Sequence, residues 1–91
     1  MIEKVRIDRR WLPLNALRAF EGVARYGSFT GAASALNIAQ SALSRHVISL
    51  ENLIGVKLFD RRPHSLMLTA AGEHLLPVVS RSFDRLEHAI D

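Results

Sequence analysis

The sequence predicts a mainly α domain of four helices, with one short β-hairpin between the third and the fourth. Three observations carry that prediction. Apolar residues recur at helical spacing over several separate stretches. Two of these stretches are joined by a very short turn, and the first of them is built from Gly31, Ala32, Ala33, Ser34 and Ala35. After Gly55 the helical period stops, and two short β-like segments flank a polar connection containing Pro63.

Each element follows from local signals. The first helix is predicted over Asn15 to Tyr26, with Asn15 as N-cap, Gly27 as its stop and Leu14, Leu17, Phe20, Val23 and Ala24 as its apolar stripe. A second, short helix is predicted over Gly31 to Leu36, capped by Thr30 and ended by Asn37, which tolerates the left-handed conformation. Ile38-Ala39 leads into a third helix over Gln40 to Ile54, stopped by Gly55. Its face of Leu43, Val47, Leu50 and Leu53 is expected to pack on the first two helices. This is the helix-turn-helix layout. Strands are predicted over Val56 to Asp60 and Leu66 to Thr69, joined by Arg61-Arg62-Pro63-His64-Ser65, and they add a wing.

Thr69 is predicted to cap a fourth helix reaching Ile90. Pro77, which cannot donate to the Glu73 carbonyl, should bend it locally. Leu76, Val79, Phe83, Leu86 and Ile90 fall at spacings of 3, 4, 3 and 4, a coiled-coil seam that points to self-association. The same stripe could instead pack on its own domain. The chain divides accordingly into an N-terminal extension (1–12), a winged helix-turn-helix (13–69) and a linker helix (70–91).

Composition narrows the class. Ninety-one residues, 48% hydrophobic and 23% charged, suit one small globular domain. The absence of cysteine excludes a disulfide framework and a Cys-based zinc site. No apolar signal segment opens the chain, and the uncharged run from Gly27 to Ser44 holds seven Ser, Thr, Asn or Gln among its eighteen residues, too polar for a membrane span. The expected compartment is the cytoplasm, without a membrane role. Residues 1–69 hold ten Lys/Arg against five Asp/Glu, and residues 70–91 hold two against four. A basic front suits an anionic partner, although a solvated surface with chance asymmetry gives the same counts.

The third helix carries the candidate chemistry. Gln40, Ser41, Ser44, Arg45 and Ile48 lie opposite its apolar face, with His46 and Ser49 on the flanks. Gln can pair in bidentate fashion with adenine, Arg with guanine, and Ser with bases or phosphates. At about 1.5 Å per residue the helix is roughly 22 Å long, a fit for a major groove. Arg61, Arg62 and His64 are the candidate wing contacts to backbone or minor groove. Lys57 reads as a solvated strand residue, and Lys4, Arg6, Arg9 and Arg10 as a solubilising extension.

Taken together, the motifs resemble the LysR-type transcriptional regulators over about Leu12 to Ile90. The resemblance rests on Leu14-Asn15-Ala16-Leu17-Arg18-Ala19-Phe20, Gly27-Ser28-Phe29-Thr30-Gly31-Ala32-Ala33 and Leu36-Asn37-Ile38-Ala39-Gln40-Ser41-Ala42-Leu43-Ser44-Arg45. It continues through Leu50-Glu51, Leu53-Ile54-Gly55-Val56, Leu58-Phe59-Asp60-Arg61 and Leu68-Thr69-Ala70-Ala71-Gly72. It implies a homodimer, paired through the fourth helix and assembling further into tetramers, that binds an imperfect inverted repeat of double-stranded DNA near a promoter. It also implies DNA contacts at Gln40, Ser41, Ser44 and Arg45, at Ser28 and Thr30 towards phosphates, and at Arg61 in the wing. No cofactor is implied for these residues; a small-molecule effector belongs to a C-terminal domain that they do not include. Leu12-Pro13-Leu14-Asn15, Gly72-Glu73-His74-Leu75-Leu76-Pro77 and Ser82-Phe83-Asp84-Arg85 are similar to the subgroup of glycine-cleavage and β-lactamase-induction regulators. There are departures. Ala39 stands where Ser or Thr is usual, Ile48 where Lys or Arg is common, and His64 at the position of a wing arginine, leaving Arg62 to replace that contact or His64 to make it pH-sensitive.

Two rival classes remain. An enzyme would need a constellation that His46, His64, His74 and His88 do not form: there is no i,i+4 pair, no carboxylate cluster and no phosphate-cradling Gly loop. A protein-interaction module would use the fourth helix but leave the Gln40–Arg45 face and the Arg61-Arg62 tip idle.

Overall fold

Pro13 opens the first helix. The computed structural model describes residues 8–63 and 65–91; the expectations for Lys4, Arg6 and His64 lie outside them. The Pro13 carbonyl accepts the Leu17 N–H at 2.9 Å, and α1 runs Leu14–Tyr26 without a side-chain cap. Asn15, expected as that cap, sits inside the first turn, and Pro13 holds the cap position with a non-helical backbone, φ -82° and ψ 72°. At the other end Gly27 stops α1 in the left-handed conformation, φ 72°.

Helix α2 (Phe29–Leu36) begins two residues before its predicted start, and its cap is Ser28, not Thr30. The Gly31 N–H donates to Ser28 Oγ at 2.9 Å. The Ser28→Ala variant should therefore lose about 1 kcal/mol, lowering the melting temperature by roughly 4–8 °C. Thermal unfolding followed by circular dichroism checks this, with Thr30→Ala as the milder control. Asn37 ends α2 at φ 56°, as the sequence predicts.

Helix α3 (Gln40–Ile54) has the predicted bounds, with Ala39 offering no side-chain cap and Gly55 left-handed at its end. Leu43, Val47 and Leu50 are buried, while Leu53 is 36% exposed. At about 100° per residue Leu53 and Glu51 lie equally far round the helix from Leu43, on opposite sides, and it is the Glu51 side that faces the domain, leaving Glu51 only 3% exposed.

The strands are shifted from expectation. β1 (Phe59–Arg62) pairs antiparallel with β2 (Ser65–Leu68), in the register Phe59↔Leu68 to Arg62↔Ser65. Arg61, Arg62 and Ser65, expected in the connection, are ladder residues. Val56 to Leu58 pair with no strand, since the Val56 N–H goes to the Glu51 carbonyl and the Leu58 N–H to the Glu51 carboxylate. The core gathers Phe20, Val23, Leu43, Val47, Leu50 and Leu58. Phe59 adds aromatic contacts, its ring 5.5 Å from that of Phe20 and 6.0 Å from that of Phe29.

Helix α4 (Ala70–Ile90) is capped by Thr69, whose Oγ1 accepts the Gly72 N–H at 3.2 Å, and it runs on through Pro77. It is fastened to the domain at two places. Thr69 donates its N–H to the Leu58 carbonyl and its hydroxyl to the Lys57 carbonyl. Further along, Ser80 Oγ donates to Glu21 Oε2 at 3.1 Å, and Arg25 pairs with the same carboxylate at 2.7 Å. The five seam residues divide. Val79 is buried in the domain's own core, and Leu76 and Phe83 pack partly against it. Leu86 and Ile90 are 55% and 85% exposed. Together with Leu86, the exposed Leu12, Leu14, Ile54 and Val78 wall an apolar groove between the start of α1, the end of α3 and α4. Leu14 therefore belongs to this surface and not to the core.

Candidate nucleic-acid interface

A helix that reads DNA presents polar side chains along one open face. Helix α3 does so. Gln40, Ser41, Arg45 and Ile48 are exposed, and Ser44 is half-buried between them. His46 is half-buried beside α1, in a shallow groove with Asn15 and Arg18. With Ala39 before it, the first turn of α3 keeps backbone N–H groups without a side-chain acceptor, at the positive end of the helix dipole.

The neighbouring elements frame this face. Thr30 Oγ1 donates to Gln40 Oε1 at 3.3 Å, tying α2 to the start of α3 and leaving the Gln40 amide its NH2 donors. Ser28, though engaged as a cap acceptor, keeps its hydroxyl hydrogen to donate. Across an open cleft from Ser28 and Gln40 stand the two wing arginines. They differ. Arg62 has a side chain 67% exposed and pairs with Asp60 at 3.0 Å on the outer face of the hairpin. Arg61 is turned inward: its guanidinium lies 4.5 Å over the Phe29 ring, and its Nη2 is 3.9 Å from Glu51 Oε1. The structure thus brings Ser28, Gln40, Arg61 and Arg62 around one cleft, with Thr30 bonded to Gln40 and Ser41, Ser44 and Arg45 continuing along α3.

Glu51 is the residue that sequence reasoning passed over. Its signal was present, a carboxylate four residues after buried Val47 on the apolar side of α3. Its Oε2 accepts the N–H groups of Leu58 at 2.8 Å and Phe59 at 3.3 Å.

Residues 14–73 match the family model described as bacterial regulatory helix-turn-helix protein, lysR family. The chain belongs to the LysR family. Among its LysR relatives, the HTH-type transcriptional activator AmpR of Citrobacter freundii is 53% identical over 85 residues, 93% of this chain and 29% of that protein. The carbapenem-hydrolyzing beta-lactamase transcriptional activator of Serratia marcescens is 49% identical over 80 residues, 88% of this chain and 27% of that protein. Relatives of this kind agree with the resemblance to β-lactamase-induction regulators. The chain spans under a third of the length of these relatives. In structure it is similar to the BenM DBD in its complex with catB site 1 DNA, with a TM-score of 0.80 and 31% identity, covering 85% of this chain and 86% of that one. The mainly α architecture with a two-stranded wing is thus that of a LysR helix-turn-helix domain followed by its linker helix. Among the described residues no helix is long and apolar enough to cross a membrane.

Proposed function

We propose that this chain binds double-stranded DNA sequence-specifically, as a homodimer, in the service of bacterial transcription regulation. The observation that carries the reading is the open Gln40–Ser41–Ser44–Arg45 face of α3, framed by Ser28, Thr30 and Arg62. In this reading α3 lies in the major groove, where Gln40 and Arg45 take base edges and the serines take bases or phosphates. The hairpin lies against the backbone or the adjacent minor groove, with Arg62 foremost. A neighbour solved on DNA and relatives named as transcriptional activators support it. Residues 13–69 do the reading, residues 70–91 join two copies, and the work is done in the cytoplasm, with no catalytic step.

Pairing uses the part of the α4 stripe that the domain does not consume. Leu86 and Val78 line one apolar groove with Leu12, Leu14 and Ile54, and exposed Ile90 continues the helix stripe beyond it. Two such surfaces related by a two-fold axis would set two α3 helices on an inverted repeat.

Selection from a random duplex pool tests the reading, with Arg45→Ala run in parallel. The chain should enrich a two-fold-related motif. In the variant, preference at one base position per half-site should relax, and each half-site should lose about 5- to 150-fold in affinity. Failure of the unaltered chain to enrich any motif would count against sequence-specific recognition.

A further inference from the structure

A two-stranded hairpin is marginally stable on its own, so the direction in which a wing points is set by what holds it. Here the hairpin backs onto α4 through β2 and onto α1 and α2 through Phe59. The recognition helix reaches it through one charged group, Glu51. One oxygen of that buried carboxylate is filled by the Leu58 and Phe59 amides at the root of β1. The other faces the Arg61 guanidinium at 3.9 Å, beyond hydrogen-bond length, and Phe29 supports the guanidinium from the side. Arg61 is therefore oriented without having spent its donors. Its side chain is 37% exposed, at the edge of the cleft between α3 and the wing. Arg62, on the other face of the strand, pairs among the described residues with Asp60 alone.

We infer that Glu51 is the positioning residue of the wing. Through two backbone amides and Arg61 it fixes where the hairpin's basic edge meets DNA relative to the groove occupied by α3. This rests on α3 being the recognition helix. Simple charge counting gives the opposite result, Glu51→Gln binding DNA more tightly because a negative charge is lost.

The test is hydroxyl-radical footprinting and salt titration of the chain on its selected operator. Glu51→Gln keeps an acceptor for the amides but removes the charge behind Arg61. It should lose protection at the outer flanks of each half-site and keep it at the centre. The log–log salt slope should flatten by about 0.9 for each phosphate lost. A merely structural role would lower the active fraction and leave both the protection pattern and the slope unchanged. In an Arg61→Gln background Glu51→Gln should change the flanks little further, as expected for two groups acting through one contact. Unchanged flanks and slope, or tighter binding with the same footprint, would overturn the inference. If Glu51→Gln does not fold, Arg61→Gln alone reads the contact through which Glu51 acts: loss of the same flanks supports the role, and intact flanks reject it. An unaltered chain with no footprint at all would remove the DNA-reading role itself, and this inference with it.

Discussion

Replacing Gly72 with alanine is expected to cost about 3 kcal/mol, a drop of roughly 12–24 °C in melting temperature for a domain of this size. A Cβ there would stand 2.3 Å from the Leu58 carbonyl oxygen and 2.8 Å from Leu68 Cδ2. The leucine side chain can turn away, but the oxygen cannot. Leu58 is held at both ends of its backbone, its N–H by Glu51 and its carbonyl by the Thr69 N–H. Relief would require α4 to lift from the domain and give up Val79 and the Ser80–Glu21 bond with it. Thermal unfolding at fixed protein concentration measures the effect, since self-association shifts apparent stability. A melting point within a degree or two of the parent would mean that α4 does not seat this closely on Leu58.

Leu86→Glu is expected to leave the domain folded, produce a monomer, and reduce operator affinity by at least roughly 100-fold through loss of the second half-site. Leu86 is 55% exposed and Val78 57%, so a charge at either position meets solvent in a lone chain but an apolar surface in a paired one. Sedimentation equilibrium and binding to the selected operator read the two consequences separately. A variant that remains dimeric and binds as before would place the pairing surface elsewhere on the molecule.

How much of this was legible beforehand depended on whether one residue's own chemistry decided the outcome. Gly27, Asn37 and Gly55 ended their helices as predicted, because a left-handed backbone selects its residue locally. Helix starts were less readable. Ser28 and Thr30 are equally able to cap, and the choice goes with Phe29 joining the helix and packing against Phe59 and Arg61, residues thirty or so positions away. A nearer partner, Glu51, hid the first strand's true start. Val56-Lys57-Leu58 has the composition of a strand, but the amides that a ladder would need are taken by Glu51. In α4 the 3–4 spacing is the same whether the stripe faces its own core or a second copy, so the period could not separate Val79 from Leu86. At the interface the open face of α3 followed from periodicity alone. The different orientations of Arg61 and Arg62 did not, since alternation along a strand locates a side chain only once the register is known.

One residue, Thr69, separates the end of β2 from the first residue of α4, and both its backbone N–H and its hydroxyl are tied to the root of the wing. A joint so short and so fully bonded has no slack. Helix α4, roughly 32 Å from end to end, then works as a lever bolted to the domain: moving its Ile90 end sideways by about 5 Å tilts the whole reading head by roughly 9°. In a pair of copies, torque applied at the far ends of the two levers would pass through these joints to the reading heads.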